Sequence, residues 1–104
     1  MKRRAYTMKL KKGFEEEYKK RHDAIWPELC EDITQAGISD YSIFLDETTG
    51  TLFAVQKMAD DQKTLDRSIS PIVQKWWNYM ADIMETHPNN APVQIPLREV
   101  FHLD

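Results

Sequence analysis

The sequence predicts an α+β fold in which an antiparallel sheet is covered by helices on one face. Three observations favour it. A run near the N-terminus alternates apolar and polar residues as a strand does, two runs of β-forming residues flank a short turn, and stretches with helical character separate these segments. The 104 residues are enough for one hydrophobic core and too few for two. We therefore expect residues 1–104 to form a single domain.

A strand followed by a helix is predicted at the N-terminal end. Residues 4–10 alternate, which indicates a half-buried strand, and Gly13 interrupts the pattern. The apolar side of this strand carries Tyr6, Met8 and Leu10. Residues 14–22 place acidic residues first and basic residues last, the order that the helix dipole favours. This helix leaves Tyr18 and His22 together on one face, one turn apart.

A second helix and a hairpin are predicted next. Because Trp26 precedes a proline, it is disfavoured in the α region and should end the first helix. Pro27 suits the first turn of a second helix, which Gly37 should terminate. Residues 41–45 and 51–58 are rich in β-forming residues and flank a turn, so they predict a hairpin.

The C-terminal half is predicted to contain two further helices and the last strand. Residues 60–69 indicate a short helix. A longer one begins with Ser70 as N-cap and Pro71 in the first turn, and runs to about Glu85. The last strand falls within residues 93–103.

The resulting order, β, α, β, β, α, β, is the ferredoxin-like split βαβ pattern, with Pro96 marking an edge or bulge in the last strand. Helices on one face leave the other face of such a sheet uncovered. Five apolar candidates for burial on its two faces are Tyr6, Met8, Phe44, Phe53 and Phe101. They favour a homodimer packed face to face. The alternative is a second face that is polar and solvated.

Composition excludes several classes of function. A net charge of −3, from 14 basic and 17 acidic residues, disfavours a nucleic-acid or anionic-membrane partner. No apolar run approaches the roughly 20 residues of a membrane span, and the basic start is not followed by a signal sequence, so we expect a cytoplasmic protein. The lone Cys30 excludes an internal disulfide, and three scattered histidines predict no metal site. These histidines are His22, His87 and His102.

A set of aromatic residues with polar tips is the strongest candidate for a functional site. Its members are Tyr18, His22, Tyr41, Trp76 and Trp77. Aromatic faces that stack on C–H groups, together with hydroxyl and imidazole groups, suit a sugar, although hydrophobic cores use the same residue types. Neighbouring helix positions diverge by about 100°, so we expect one tryptophan in the core and the other at a cavity or an interface.

Four blocks of the chain resemble the L-rhamnose mutarotases, and the resemblance runs nearly end to end. The blocks are Arg21-His22-Asp-Ala-Ile-Trp26-Pro27-Glu28-Leu29, Tyr41-Ser-Ile43, Leu52-Phe53-Ala54 and Trp76-Trp77-Asn-Tyr-Met80-Ala-Asp82-Ile-Met84. Two departures from the family pattern are Lys57, where an acidic residue is expected, and Thr64-Leu65, where a tryptophan is expected. Both departures are expected to affect peripheral packing or substrate preference, and not the site residues named below.

The resemblance implies a cytoplasmic homodimer of the dimeric α/β-barrel type that interconverts the α and β anomers of L-rhamnose, or of a similar 6-deoxy sugar, without a cofactor. It implies His22 as the proton donor. It also implies that Tyr18, Tyr41, Trp76 and Trp77 contact the sugar.

The chemistry of ring opening leaves the second proton carrier open. His22 suits the acid because imidazole titrates near neutrality, and a position in the last turn of a helix should favour its protonated form. Tyrosines with an ordinary pKa near 10 are better orienting groups than bases, so a carboxylate or a bound water is the expected base. Two alternatives remain at this stage: a small monooxygenase with haem or a polyphenol as substrate and His22 as haem ligand, and a non-catalytic sugar-binding regulatory dimer.

Overall fold

The computed structural model describes residues 2–59 and 70–104 and has the predicted order of elements. These elements are β1 (Lys2–Lys9), α1 (Glu15–Asp23), α2 (Pro27–Gln35), β2 (Ile38–Asp46), β3 (Thr51–Met58), α3 (Pro71–Met80) and β4 (Ile95–Leu97). The short helix predicted for residues 60–69 and the departure at Thr64-Leu65 lie outside the described residues.

The four strands form one antiparallel sheet in the order β2-β3-β1-β4. This order confirms the ferredoxin-like fold. β1 lies between β3 and β4, so every residue of its middle has a neighbour on each side. Pro96 lies in the edge strand β4 opposite Tyr6, where its missing N–H costs no hydrogen bond of the sheet interior.

The core lies between the helices and one face of the sheet, here called the inner face. Alternation along β1 and β3 brings Tyr6 opposite Ala54 and Met8 opposite Leu52, and all four side chains are buried. The helices contribute apolar side chains to the same cluster, including those of Leu29 and Met80. Burial of these side chains drives the helices onto the inner face.

The helix boundaries around the first two helices follow the predicted signals. Trp26 is extended, with φ −65° and ψ 131°, and Pro27 is the first residue of α2. Gly37 has φ +82°, the left-handed conformation that commonly ends a helix. Lys19 pairs with Asp23 one turn further along α1, at 3.0 Å.

The third helix ends at Met80, five residues earlier than predicted. Beyond it the chain turns back to the end of β1. The Lys11 N–H donates to the Ile83 carbonyl over 2.8 Å, and the Glu85 N–H donates to the Lys9 carbonyl over 3.0 Å. Leaving the helix lets Ile83 become fully buried, at 0% exposure. The extra burial and these two hydrogen bonds outweigh continuation of the helix.

The opposite face of the sheet carries exposed apolar side chains and is here called the outer apolar face. Its residues are Phe44, Phe53, Val55, Ile95 and Leu97. Phe44 lies directly opposite Phe53 and is 64% exposed. The five candidates for burial therefore divide: Tyr6 and Met8 are buried on the inner face, whereas Phe44, Phe53 and Phe101 are exposed. Phe101 lies beyond the end of β4, so it is not part of a strand.

No helix among the described residues is both long enough and apolar enough to cross a membrane.

Candidate active site

A cavity of about 820 Å³ lies between the inner face of the sheet and the helices. All five residues predicted for the site line it: Tyr18, His22, Tyr41, Trp76 and Trp77. The same five also line a smaller recess of about 90 Å³. The fold thus brings together side chains that are up to 59 positions apart, Tyr18 to Trp77, in the sequence.

His22 lies in the last turn of α1, with one ring nitrogen occupied by the helix backbone. Its Nδ1 is 3.1 Å from the carbonyl oxygen of Tyr18. Because a carbonyl oxygen only accepts, Nδ1 must carry the hydrogen, and Nε2 is left to exchange a proton. The imidazole stacks on the Tyr18 ring with centroids 4.3 Å apart, and the Trp76 ring meets it edge-on at 5.4 Å. These contacts fix the plane of the imidazole.

Burial lowers the pKa of His22 below its ordinary value of 6.5, and this effect outweighs the hydrogen bond to the Tyr18 carbonyl and the charge of Asp23, which both raise it. The neutral imidazole therefore predominates at neutral pH. The expectation of a protonated His22 at this helix end is wrong, because burial disfavours the charged imidazole.

Two tyrosine hydroxyls meet on the inner face of the sheet. The hydroxyls of Tyr6 and Tyr41 are 2.8 Å apart. An irregularity in the β2–β3 register precedes this contact, where Asp40 adopts φ +46° and pairs with Lys57 at 3.4 Å. Burial of its hydroxyl, followed by the nearby Tyr6, raises the pKa of Tyr41 well above 10. Burial likewise raises the pKa of Tyr18. Both phenols therefore stay protonated at neutral pH and act as hydrogen-bonding groups.

The two tryptophans divide their roles as predicted, although Trp76 also lines the cavity. Trp76 is only 9% exposed and packs in the core, yet it also lines the cavity and touches the ring of His22. It also contacts Trp26, edge-on at 5.0 Å, and Tyr79, with ring centroids 5.6 Å apart. Trp77 is partly buried against the core and lines the same cavity. One residue of the pair is therefore in the core and the other at a cavity, which is one of the two places expected for it, and Trp76 contributes to both.

Arg21, next to His22, ties α1 to the end of α3 and was not singled out from the sequence. Its guanidinium binds both carboxylate oxygens of Asp82, at 2.9 and 3.2 Å, and donates to the Tyr79 carbonyl over 2.8 Å. A further ion pair joins it to Glu17 at 2.7 Å. The Arg21 side chain is only 10% exposed. It holds the last turn of α1, and so His22, against the helix that carries Trp76.

The sheet contributes wall residues that sequence reasoning missed. Arg4, Tyr6 and Gln56 all line the cavity from the inner face. Strand alternation places Tyr6 on the apolar side of β1, which predicts a core residue. The same alternation puts Arg4 on that side, two positions earlier, and this was the available signal.

Within residues 2–59 and 70–104, no group of three or more His, Cys, Asp or Glu side chains is arranged to hold a metal ion. Cys30 is free and exposed.

Comparison with known proteins agrees with the resemblance carried by the sequence blocks. A family model described as L-rhamnose mutarotase matches residues 3–103. The chain belongs to this family. An L-rhamnose mutarotase from Phocaeicola vulgatus is 58% identical over 104 residues, which cover 100% of both chains. Another, from Flavobacterium johnsoniae, is 58% identical over 102 residues and covers 98% of this chain and 95% of its own.

A solved structure of the L-rhamnose mutarotase family has the same fold. The crystal structure of L-rhamnose mutarotase from Formosa agariphila superimposes with a TM-score of 0.92 at 50% identity, covering 100% of each chain. These relatives favour an anomer-interconverting isomerase over the monooxygenase and the non-catalytic dimer that the sequence had left as alternatives.

Proposed function

We propose that the cavity interconverts the α and β anomers of L-rhamnose or a similar 6-deoxy sugar, with His22 as the proton donor. The observation that supports this most strongly is the imidazole itself: its Nδ1 is bound to the Tyr18 carbonyl, and its Nε2 is free to exchange a proton in a cavity with aromatic walls. Tyr18, Tyr41, Trp76 and Trp77 contact the sugar.

Opening a pyranose ring requires two proton transfers, one at the anomeric hydroxyl and one at the ring oxygen. A proton leaves the anomeric hydroxyl, the bond between the anomeric carbon and the ring oxygen breaks, and the ring oxygen gains a proton. Both oxygens are bonded to the same carbon, so one Nε2 can reach each in turn. Neutral His22, in place of the carboxylate or bound water expected from the sequence, takes the proton from the anomeric hydroxyl and then, as imidazolium, donates it to the ring oxygen. The open aldehyde rotates about one bond and closes on its other face by the reverse steps.

In this sequence of steps, the proton that His22 donates is the one it has just taken from the anomeric hydroxyl. A neutral imidazole has no proton on Nε2 to give, so the donor form must arise within each turnover. No redox step or covalent intermediate is needed. A positioned acid–base group accelerates a reaction by about 10²–10⁴-fold, which is sufficient for mutarotation because it already proceeds in water.

The remaining site residues position the sugar. Tryptophan faces suit the C–H groups of a pyranose, and the hydroxyls of Tyr18 and Tyr41 suit its hydroxyl groups. Each phenol both donates and accepts, so it can pair with either lone pair or hydrogen of the sugar. The raised pKa values of the two tyrosines keep this capacity at neutral pH.

The proposed activity needs no metal or organic cofactor. Incubation with a strong chelator followed by dialysis should leave the rate of anomer exchange unchanged. Loss of activity that added zinc or magnesium restores would contradict this part of the proposal.

The site is further proposed to work in a homodimer in the cytoplasm. The outer apolar face supports the dimer, because five large apolar side chains exposed on one sheet form a surface that a second copy can cover. The net charge of −3 supports the absence of nucleic-acid and anionic-membrane partners.

Exchange NMR on a panel of sugars tests the function directly. The anomeric proton signals of L-rhamnose should show exchange that grows with enzyme concentration, while a sugar of different ring stereochemistry responds less. An unchanged exchange rate for every sugar on the panel would reject the proposed function.

A further inference from the structure

Gln56 carries a buried polar group that the fold leaves unpaired. This residue lies in β3, is 1% exposed and lines the cavity. Its Oε1 has no hydrogen-bond partner among residues 2–59 and 70–104. Buried polar groups are nearly always paired, and an unpaired one lowers stability, so its presence in the wall of a cavity points to a partner that arrives with a ligand.

The neighbouring donors on the inner face are turned elsewhere. Arg4 is directly opposite Gln56 in the β1–β3 pairing, but its guanidinium lies over the Tyr6 ring, 4.8 Å from the centroid. The Tyr6 and Tyr41 hydroxyls bind each other at 2.8 Å. The sheet thus supplies Gln56 with no partner from its cross-strand neighbour.

Gln56 and His22 lie at different parts of the cavity. The small recess of about 90 Å³ is lined by His22, Tyr18 and Tyr41 but not by Gln56, whereas the large cavity is lined by all four. His22 belongs to the helical wall and Gln56 to the sheet wall. A sugar whose anomeric carbon meets His22 therefore presents a different part of its ring to Gln56.

We propose that Gln56 is a specificity-determining residue whose amide binds a ring hydroxyl of the sugar away from the anomeric carbon. This inference rests on the proposed function. The terminal torsion of a glutamine is soft, so the amide can turn its oxygen toward an arriving hydroxyl donor. Such a contact rejects sugars that lack the hydroxyl, because the amide then stays unpaired.

The test combines a variant with matched sugars. Gln56→Met keeps the length of the side chain and removes its hydrogen-bonding groups. Values of kcat/KM are measured by exchange NMR for L-rhamnose and for its 2-, 3- and 4-deoxy analogues. We expect Gln56→Met to lose about 3- to 10-fold with L-rhamnose and nothing with the analogue that lacks the contacted hydroxyl. The control is Gln35→Met, which changes an exposed glutamine of α2 and should leave all rates unchanged.

Thermal unfolding of the same variants separates binding from structure. Because Gln56→Met removes an unpaired buried group, its Tm should rise while its activity falls. An equal loss with all four sugars, together with a lower Tm, would assign Gln56 a structural role and overturn the inference. If the wild type is active and Gln56→Met has the same kcat/KM for L-rhamnose, the inference is also overturned. A wild type that accelerates no sugar would reject the proposed function, and this inference with it.

Discussion

The two faces of the sheet use the same strands in opposite ways. On the inner face, where a core is expected, alternate residues include Arg4, Tyr6 and Gln56, whose polar groups line a cavity. On the outer face, where water is expected, they include Phe53 and Val55, at 38% and 37% exposure. The chain by itself therefore satisfies neither face: the Oε1 of Gln56 is withdrawn from water without a partner among the described residues, and apolar side chains are left in water.

The difference identifies where binding free energy is available. A polar group inside a protein is costly unless a hydrogen bond replaces those it made with water, so the inner face gains most from a ligand rich in hydroxyls. Exposed apolar area gains about 25 cal/mol per Å² when it is covered, so the outer face gains most from a second apolar surface. The proposed sugar on one face and the proposed second copy on the other would each supply the contacts that its face lacks.

The largest expected effect tests the inner cavity through His22. His22→Gln keeps an amide that can bond the Tyr18 carbonyl, but it cannot carry a proton. We expect the catalysed exchange of L-rhamnose anomers to fall about 10²–10⁴-fold, the usual contribution of a positioned acid–base group. Exchange NMR gives the rate, and circular dichroism checks that the fold is intact.

The control for this substitution is His87→Gln, which changes an exposed histidine in the loop before β4. It should keep the wild-type rate. If His22→Gln unfolds the domain but leaves the activity per folded molecule intact, His22 is a core residue. The acid is then to be sought among Asp23, Glu28 and Asp40.

The next effect tests the outer apolar face. Phe53→Glu places a charge in the middle of the sheet, opposite Phe44, and should dissociate the proposed homodimer. Losing one Phe from each of two apposed faces costs about 3–6 kcal/mol, or roughly 10²–10⁴-fold in the dissociation constant. Sedimentation equilibrium at micromolar concentration should show twice the chain mass for wild type and a single chain for the variant.

The matched control is Phe14→Glu, since Phe14 is 37% exposed, nearly the same as Phe53, but precedes α1 rather than lying on the sheet. It should leave the dimer intact. A wild-type chain that sediments as a stable folded monomer would remove the basis for assigning the outer apolar face to a second copy.

The sequence predicts elements that depend on local signals better than it predicts those that depend on distant contacts. Alternation predicted β1, and Pro27, Gly37 and the hairpin predicted the boundaries of their elements, because these signals are local. The end of α3 was mispredicted because burial of Ile83 beside β1 depends on a contact distant in sequence. The five site residues stand out as an aromatic set with polar tips, the resemblance implies the same five, and all of them line one cavity.

Properties that depend on the assembled site were not accessible from the sequence. The local rule for a helix end predicted protonated His22, whereas burial by residues from other elements lowers its pKa. The unpaired Oε1 of Gln56 depends on where Arg4 turns. A sequence fixes which side of a strand a residue occupies, but the partners of a polar group depend on three-dimensional packing.

The pH dependence tests the electrostatics of the inner cavity. Because the pKa of His22 is lowered below 6.5, the neutral form is present above that pKa, and kcat/KM should fall about tenfold per pH unit as the pH drops through it. A profile that instead falls as pH rises through the same pKa would show that a resting imidazolium donates the proton. Rates of exchange between about pH 5 and pH 8 decide between the two.

The free energy of unfolding should also depend on the protonation of His22. Above pH 6.5, His22 is neutral in the folded and unfolded chains and adds no pH dependence. As the pH falls below 6.5, the unfolded chain binds a proton that the folded chain resists, so the free energy of unfolding decreases. The difference in Tm between wild type and His22→Gln should therefore shift in favour of the variant as the pH is lowered. The control His87→Gln should show no such shift.

The smallest expected effect distinguishes Tyr41, which is proposed to contact the sugar, from Tyr6, which is proposed to position Tyr41. Tyr41→Phe removes the neutral hydrogen bond proposed to the sugar, worth about 0.5–1.5 kcal/mol, so kcat/KM should fall roughly 2- to 13-fold. Tyr6 is 5% exposed and acts through the Tyr41 hydroxyl, 2.8 Å away, so Tyr6→Phe should cost less. If Tyr6 only positions Tyr41, the double variant Tyr6→Phe/Tyr41→Phe should lose no more activity than Tyr41→Phe alone, because the hydroxyl that Tyr6 orients is already gone. Losses that multiply would mean that Tyr6 contacts the sugar independently, and the inner face would then present two separate phenols to the substrate instead of one supported by the other.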